Sequence, residues 1–110
     1  MIRKKYCVDG AWLESKTEKW MPVTDSSTGA VIAEVPSCTQ DEVLAAIDAA
    51  DRAFSTWSQM SLSKRTQLLF HWRNVLMEHL EELTLLCARE LGKTLNEARG
   101  DVLKAIEPTE

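Results

Sequence analysis

The longest amphipathic segment of the chain runs from Ser61 to Leu91, contains neither proline nor glycine, and is followed by Gly92. At about 100° per residue, apolar side chains recur along one line of a helix drawn through it. Further apolar positions lie on both sides of this line, so the apolar arc spans roughly 200°, about twice what an ordinary surface helix needs. The pattern predicts a long helix that is covered on more than one side. The central line consists of Leu69, Trp72, Leu76, Leu80, Leu83 and Cys87.

The first 36 residues predict short strands and turns instead of helices. The dipeptide Asp9-Gly10 separates two short extended runs and is typical of a tight hairpin turn. Pro22 lies inside a later extended run and favours an edge position for that strand, because proline cannot donate a hydrogen bond to a neighbour. We therefore expect short antiparallel strands in this part of the chain. The expected strands cover residues 6–8, 11–13, 20–24 and 31–35.

Two capping boxes predict helix starts on either side of the long segment. Thr39 with Glu42, and Thr94 with Glu97, have the spacing in which the threonine hydroxyl and the glutamate carboxylate each accept a backbone N–H. The sequence therefore predicts an α+β, mostly helical fold with three helices, and we expect residues 1–110 to form a single partial domain. The predicted ranges are 1–36 for strands and turns, and 39–58, 61–91 and 94–107 for helices. The first helix carries an apolar stripe at Val43, Ile47, Ala50, Phe54 and Trp57.

Composition and charge narrow the class of protein. The 110 residues carry a net charge of −4 with dispersed lysines and arginines, which argues against a surface for nucleic acid. Three cysteines without paired spacing indicate a reducing compartment, and no apolar window is long enough to span a membrane. We therefore expect a cytoplasmic protein that binds neither nucleic acid nor a membrane.

Several residues invite a chemical interpretation. Gly92-Lys93-Thr94 is similar to the end of a phosphate-binding loop, but the glycine which that motif needs five residues earlier is replaced by Cys87. His71, His79 and Cys87 are spaced by eight residues, which turns the three side chains in different directions on a helix and disfavours a metal site. Cys38 lies just before a predicted helix N-terminus, where the pKa of a thiol can be lowered, so we expect it to be the most reactive cysteine.

Taken in order, four segments of the chain resemble the N-terminus of the aldehyde dehydrogenase superfamily. VDGAWLES supplies a glycine hairpin, and the following segment supplies an "P-x-T-G-x-x-I-x-x-V-P"-like strand region. The first helix ends in an "A-F-x-x-W" pattern, and the long helix leads into "E-x-G-K-T-x-x-E-A-x-G-[DE]-V". ESKTEKW followed by IAEVP is most similar to the CoA-acylating methylmalonate-semialdehyde dehydrogenase branch. Residues 25–27, Asp-Ser-Ser, depart from the asparagine-proline-alanine that the family usually has there.

The resemblance implies an NAD-dependent oxidoreductase in which a cysteine thiolate attacks a small aldehyde or semialdehyde and hydride passes to NAD. Whether coenzyme A accepts the acyl group stays open. The family's catalytic and NAD-binding motifs match no position in residues 1–110, so we assign no catalytic, cofactor-binding or metal-binding residue here. We expect the chain alone to be inactive and to bind no NAD.

The resemblance also implies that this is a truncated, scaffold segment whose apolar face is covered by the rest of a dehydrogenase chain. The alternative from another class of protein is a stand-alone, self-associating helical module, and a remnant without function is a third possibility. If this apolar face stays exposed in the isolated chain, it predicts a homo-oligomer. The candidate interface residues are Phe70, Met77, Leu68 and Val75.

Overall fold

The computed structural model describes residues 2–109 and contains two small antiparallel strand pairs and four helices. The predicted α+β, mostly helical class is confirmed. The chain divides into two compact units, one made of residues 1–24 and 30–59 and the other of 25–29 and 60–110. The elements are β1 (Tyr6–Val8), β2 (Ala11–Leu13), β3 (Trp20–Thr24), β4 (Val31–Pro36), α1 (Gln40–Trp57), α2 (Leu62–Glu78), α3 (Leu80–Leu91), α4 (Leu95–Ile106) and a 3-10 turn (Glu107–Thr109).

The first unit contains both strand pairs and α1. In the β1–β2 hairpin, Asp9 and Gly10 both have positive φ, 52° and 74°, as the predicted tight turn requires. β3 pairs with β4 in antiparallel register, and residues before β1 add a short parallel bridge to β4 at Glu34. Arg3 stabilises this bridge, because its guanidinium contacts the Glu34 carboxylate at 3.0 Å and lies 4.6 Å from the centre of the Trp20 ring.

The start of α1 confirms the predicted capping box. The Thr39 hydroxyl accepts the Glu42 N–H, and the Glu42 carboxylate accepts the Thr39 N–H at 3.1 Å. Ala49 is the one buried residue of α1. The predicted apolar stripe of this helix is exposed along its whole length, with Ile47 57% and Phe54 64% exposed.

The single long helix predicted over 61–91 is wrong in one respect, because the structure divides it at His79 into α2 and α3. His79 leaves the helical region, with φ −100° and ψ 16°, although the apolar periodicity continues through it. Three features favour a new helix start here: two glutamates in the first turn of α3, a His79 Nδ1 contact at 3.0 Å with Glu82, and packing of α3 along α4. The apolar periodicity does not reveal a bend at a single residue, and tertiary packing determines the bend at His79.

The second unit has its core between α3 and α4. Thr84 of α3 and Ala98 of α4 are fully buried, and Ile106 at the end of α4 is 2% exposed. The Thr84 hydroxyl donates to the Leu80 carbonyl at 2.7 Å, which satisfies this buried polar group within its own helix. At the edge of the seam, the Arg99 guanidinium donates two hydrogen bonds to the Glu81 carboxylate, at 3.1 and 2.8 Å.

The turn formed by residues 25–29 packs against the C-terminal end of α3. Ser26 donates its backbone N–H to the Arg89 carbonyl at 3.3 Å and its hydroxyl to the Glu90 carbonyl. These carbonyls have no partner within the helix, so the turn caps the end of α3 from a distant part of the chain. Gly92 ends the helix at φ 70°, and a Cβ on it would lie 3.2 Å from the Ser26 Cβ. Both conditions favour glycine at this position.

Candidate functional site

The segment Gly92-Lys93-Thr94 forms a junction between two helices. Gly92 ends α3 in the left-handed conformation, and the Thr94 hydroxyl accepts the Glu97 N–H as the N-cap of α4. Lys93 Nζ lies 2.6 Å from Asp101 Oδ2, and this hydrogen bond raises the pKa of the lysine. Each of the three residues therefore has a partner or a conformation that explains it as part of the helix junction.

The evenly spaced His71, His79 and Cys87 are not brought together around a common centre. His71 and His79 are exposed, Cys87 is half-buried, and His79 contacts Glu82 in the next turn. Within residues 2–109, no three histidine, cysteine, aspartate or glutamate side chains form a group that could hold a metal ion.

The structure overturns the expectation that the thiol of Cys38 has a lowered pKa. Burial raises this pKa, and the neighbouring Glu42 carboxylate raises it further because two negative charges would repel each other. Less thiolate is therefore present at neutral pH, and the thiolate is the nucleophilic form. Burial, together with a carboxylate that the same helix start brings close, outweighs the favourable position before the helix N-terminus.

Glu42 is the centre of a polar cluster that sequence reasoning missed. Its carboxylate accepts hydrogen bonds from the Ser15 hydroxyl and the Lys16 N–H, both at 2.7 Å. Hydrogen bonds from Lys16 and Ser15 lower the pKa of Glu42, so the group stays ionised at neutral pH. The capping box predicted the local role of Glu42, whereas partners 26 and 27 residues away left no signal in the sequence. The cluster fastens residues 15–16 to the start of α1.

A shallow apolar groove of about 380 Å³ runs between β1 and α1 in the first unit. Its lining includes Tyr6, Val8, Cys38, Val43 and Ile47. The composition of the lining suits an apolar side chain better than a charged substrate. The groove continues the exposed apolar stripe of α1.

A second candidate surface is the exposed apolar face of α2. This helix has no buried residue, and Leu69 and Trp72 on its predicted central line are 49% and 52% exposed. Surfaces of this kind mark contacts with another polypeptide segment. The exposed apolar face is therefore suited to contact with another polypeptide segment.

No helix between residues 2 and 109 combines the length and the apolar character needed to cross a membrane.

Comparison with known proteins adds a family match that covers most of the chain. The model of the aldehyde dehydrogenase family matches residues 12–110. A protein from Aedes aegypti named as an acylating, mitochondrial methylmalonate-semialdehyde/malonate-semialdehyde dehydrogenase is 39% identical over 106 residues, which are 96% of this chain and 20% of that protein. A malonate-semialdehyde dehydrogenase from Listeria monocytogenes is 43% identical over 110 residues, 99% of this chain and 22% of the relative. The chain thus spans about a fifth of the length of these relatives.

Solved structures have the same fold. A crystal structure from Sinorhizobium meliloti, assigned as a methylmalonate-semialdehyde dehydrogenase in complex with NAD, superposes with a TM-score of 0.93. The match covers 99% of this chain and 22% of that one at 23% identity, so the likeness concerns the fold alone.

Proposed function

Because this chain belongs to the aldehyde dehydrogenase family, we propose that it is a structural segment of an NAD-dependent enzyme that oxidises a small semialdehyde. In the complete enzyme NAD supplies the hydride acceptor. The residues of this segment provide a folded support, while the nucleophile and most NAD-binding groups lie outside residues 1–110.

The observation that carries the proposal is the imbalance between buried and exposed apolar side chains. Among residues 2–109, twenty large apolar side chains are exposed, whereas the buried apolar residues are Ala33, Ala49, Ala98 and Ile106. Three of these four are alanines, so the core contains little apolar area. A segment with this imbalance is suited to packing against more polypeptide than it contains.

Malonate semialdehyde and methylmalonate semialdehyde are the substrates we propose for the complete enzyme, because relatives at 39–43% identity carry these names. We also propose coenzyme A as the acyl acceptor, since the Aedes aegypti relative is named as acylating. A reducing, cytoplasmic location is consistent with three free cysteines.

Replacement of the matching segment in a complete relative tests the proposal directly. In this chimaera, residues 1–110 of the present chain replace the corresponding 110 residues of the Listeria monocytogenes malonate-semialdehyde dehydrogenase. We expect a soluble chimaera that reduces NAD with malonate semialdehyde, because the fold of the segment is preserved. An insoluble or inactive chimaera, beside an active parent enzyme prepared in the same way, would contradict the structural role.

The isolated chain provides a second test through its interaction with NAD. We expect isothermal titration to detect no micromolar binding, because Gly92, Lys93 and Thr94 serve the helix junction. Micromolar affinity would contradict the proposal and restore the phosphate-loop interpretation of these three residues.

Self-association of the isolated chain is the second candidate, favoured by the exposure of the predicted interface on α2. Phe70 and Leu68 are 53% and 49% exposed, whereas Met77 and Val75 are half-buried. Without a covering segment, a second copy offers the nearest apolar surface. Sedimentation equilibrium at micromolar concentration should show a dimer or a larger oligomer, and a clean monomer would contradict this candidate.

A further inference from the structure

A basic pocket of about 290 Å³ lies in the first unit, between the N-terminal segment and the residues that follow β2. Its lining combines three cations with one carboxylate, one hydroxyl and one aromatic ring. This composition differs from that of the apolar groove beside α1, and it suits a ligand that is charged. The lining residues are Arg3, Lys4, Lys5, Glu14, Ser15 and Trp20.

The charge of the surrounding segment favours an anion. Residues 1–20 contain five lysines and arginines and three acidic residues, so this segment has a net charge of +2 in a chain whose net charge is −4. Cations gathered at a pocket raise the local concentration of anions there. The pocket therefore attracts an anion although the chain as a whole is acidic.

Arg3 is held in place by contacts that leave much of its guanidinium available. Its Nε donates to the Glu34 carboxylate at 3.0 Å, and its Cζ lies 4.6 Å from the centre of the Trp20 ring. Between residues 2 and 109 its two terminal nitrogens have no hydrogen-bond acceptor, and 61% of the side chain is exposed. A guanidinium fixed in this way can donate to an oxyanion with little further loss of side-chain freedom.

The two lysines of the pocket are also available to a ligand. Lys5 Nζ lies 3.9 Å from Glu14, and because these side chains are 52% and 83% exposed, an incoming anion can displace the carboxylate. In the described part of the chain, no carboxylate lies within 4 Å of the Lys4 ammonium. With Arg3 and Glu34 included, these side chains have an excess of one positive charge.

We propose that this pocket binds the dianionic phosphate group of a small organic phosphate monoester. The phosphate oxygens accept hydrogen bonds from the terminal nitrogens of Arg3 and from the ammonium of Lys5, and the organic group lies against Trp20. A dianion is attracted by both cations at once, and its three terminal oxygens can reach separate donors. The pocket has the volume of about ten water molecules, which leaves room beside the phosphate for an organic group.

Nuclear magnetic resonance of the 15N-labelled chain tests this inference, with phenyl phosphate as the probe. At pH 7 and constant ionic strength, we expect saturable shifts of the Arg3 Nε–H and the Trp20 indole N–H. The Kd should be on the order of 1 mM, because the lining side chains are largely exposed to solvent. NAD contains no phosphate monoester, so this site is compatible with the absence of micromolar NAD binding.

Two other probes identify which part of the ligand is recognised. Inorganic phosphate should bind about threefold or more weakly than phenyl phosphate, because it has no group to place against Trp20. Phenylacetate should bind about tenfold or more weakly, because it has the same ring but only one negative charge. Equal affinity of either probe and phenyl phosphate would overturn the inference, since the pocket would then bind a free ion or a ring.

Variants of the cations separate the pocket from general attraction of anions. Arg3→Gln and Lys5→Gln should each weaken the binding of phenyl phosphate about fivefold or more, whereas Lys104→Gln, at an exposed lysine of α4, should change it less than about twofold. Lys5→Gln leaves the Arg3–Glu34 contact intact, so it keeps the test valid should Arg3→Gln disturb residues 2–4. Equal effects of Lys5→Gln and Lys104→Gln would overturn the inference.

A matched pair of acidic variants tests the displacement of Glu14. Glu14→Gln removes the carboxylate that competes for Lys5, so it should tighten the binding of phenyl phosphate about twofold or more. Glu18→Gln removes an equal charge from an exposed residue outside the lining and should have a smaller effect. Equal effects of the two variants, or shifts that do not saturate, would contradict a defined site. These outcomes do not depend on the chimaera, so the proposed function would stand if the pocket bound nothing.

Discussion

The two halves of the segment predicted as one helix, α2 and α3, have opposite surroundings although their sequences share one apolar pattern. α3 packs along α4, buries Thr84 completely, and ends on a cap provided by the turn at residues 25–29. α2 has no buried residue, and Leu69 and Trp72 on its apolar line are about half exposed. An amphipathic pattern therefore predicts that a helix face will be covered, but it does not predict whether the covering residues belong to the same segment of chain.

The largest test of this difference removes apolar volume from each region. Ile106→Ala in the α3–α4 core should lower the free energy of unfolding by about 2–5 kcal/mol, because it leaves a cavity at a residue that is 2% exposed. Leu69→Ala on α2 should cost about 1 kcal/mol or less in the isolated chain, because half of this side chain is already in water. Urea unfolding of both variants measures the contrast, and equal losses would break the comparison.

A matched pair of glycine substitutions tests the assigned conformations at the end of α3 and within α4. Gly92→Ala should destabilise by about 1–2 kcal/mol, because Gly92 has a φ of 70° and its added Cβ would approach Ser26. Gly100→Ala should stabilise by about 0.4–1 kcal/mol, since α4 is helical there and, apart from adjacent residues and the helix's own backbone, no described atom lies within 4 Å of the added Cβ. Thermal unfolding measures both changes in stability, and effects of the same sign would contradict the assignment of Gly92 as the C-cap of α3.

The smallest effect concerns the ion pair at the edge of the α3–α4 seam. The two hydrogen bonds from Arg99 lower the pKa of Glu81 below its usual value in the folded state. The stabilisation is therefore present above the unfolded pKa and is lost as the pH falls through the folded pKa. Unfolding followed from pH 7 to pH 3 should show Glu81→Gln less stable than the parent at neutral pH, with the difference vanishing in acid.

Arg99→Met provides the control for this ion pair. It removes the partner of the carboxylate, so Arg99→Met should also be less stable than the parent at neutral pH, and this difference should also disappear in acid. High salt should weaken the stabilisation in the parent, because the pair is exposed. A difference between parent and Glu81→Gln that persists at pH 3 would show that something other than the ion pair is responsible.

Features that depend on neighbouring residues could be predicted from the sequence. The turn at Asp9 and Gly10 needs two residues that tolerate positive φ, and the capping box at Thr39 needs a hydroxyl and a carboxylate three residues apart. Both requirements are visible in a window of four residues. The family resemblance was also visible, because it rests on the order of several short motifs.

Features that depend on distant residues could not be predicted in this way. The bend at His79 follows from the packing of α3 on α4, and the raised pKa of Cys38 follows from its burial and the carboxylate of Glu42. Within residues 2–109 the Nε of Arg65 is buried without a hydrogen-bond partner, and no sequence pattern shows this. Each of these properties requires coordinates of groups that the local sequence does not specify.

The cap that the turn at residues 25–29 places on α3 has a consequence for the order of folding. Ser26 and Glu90 are 64 positions apart, so the chain between them must be ordered before this contact becomes favourable. During synthesis at roughly 5–20 residues per second, the turn leaves the ribosome on the order of seconds before its helix end. We expect this contact to close last, and a ribosome-bound chain that stops before Arg89 should leave residues 25–29 open to proteolysis.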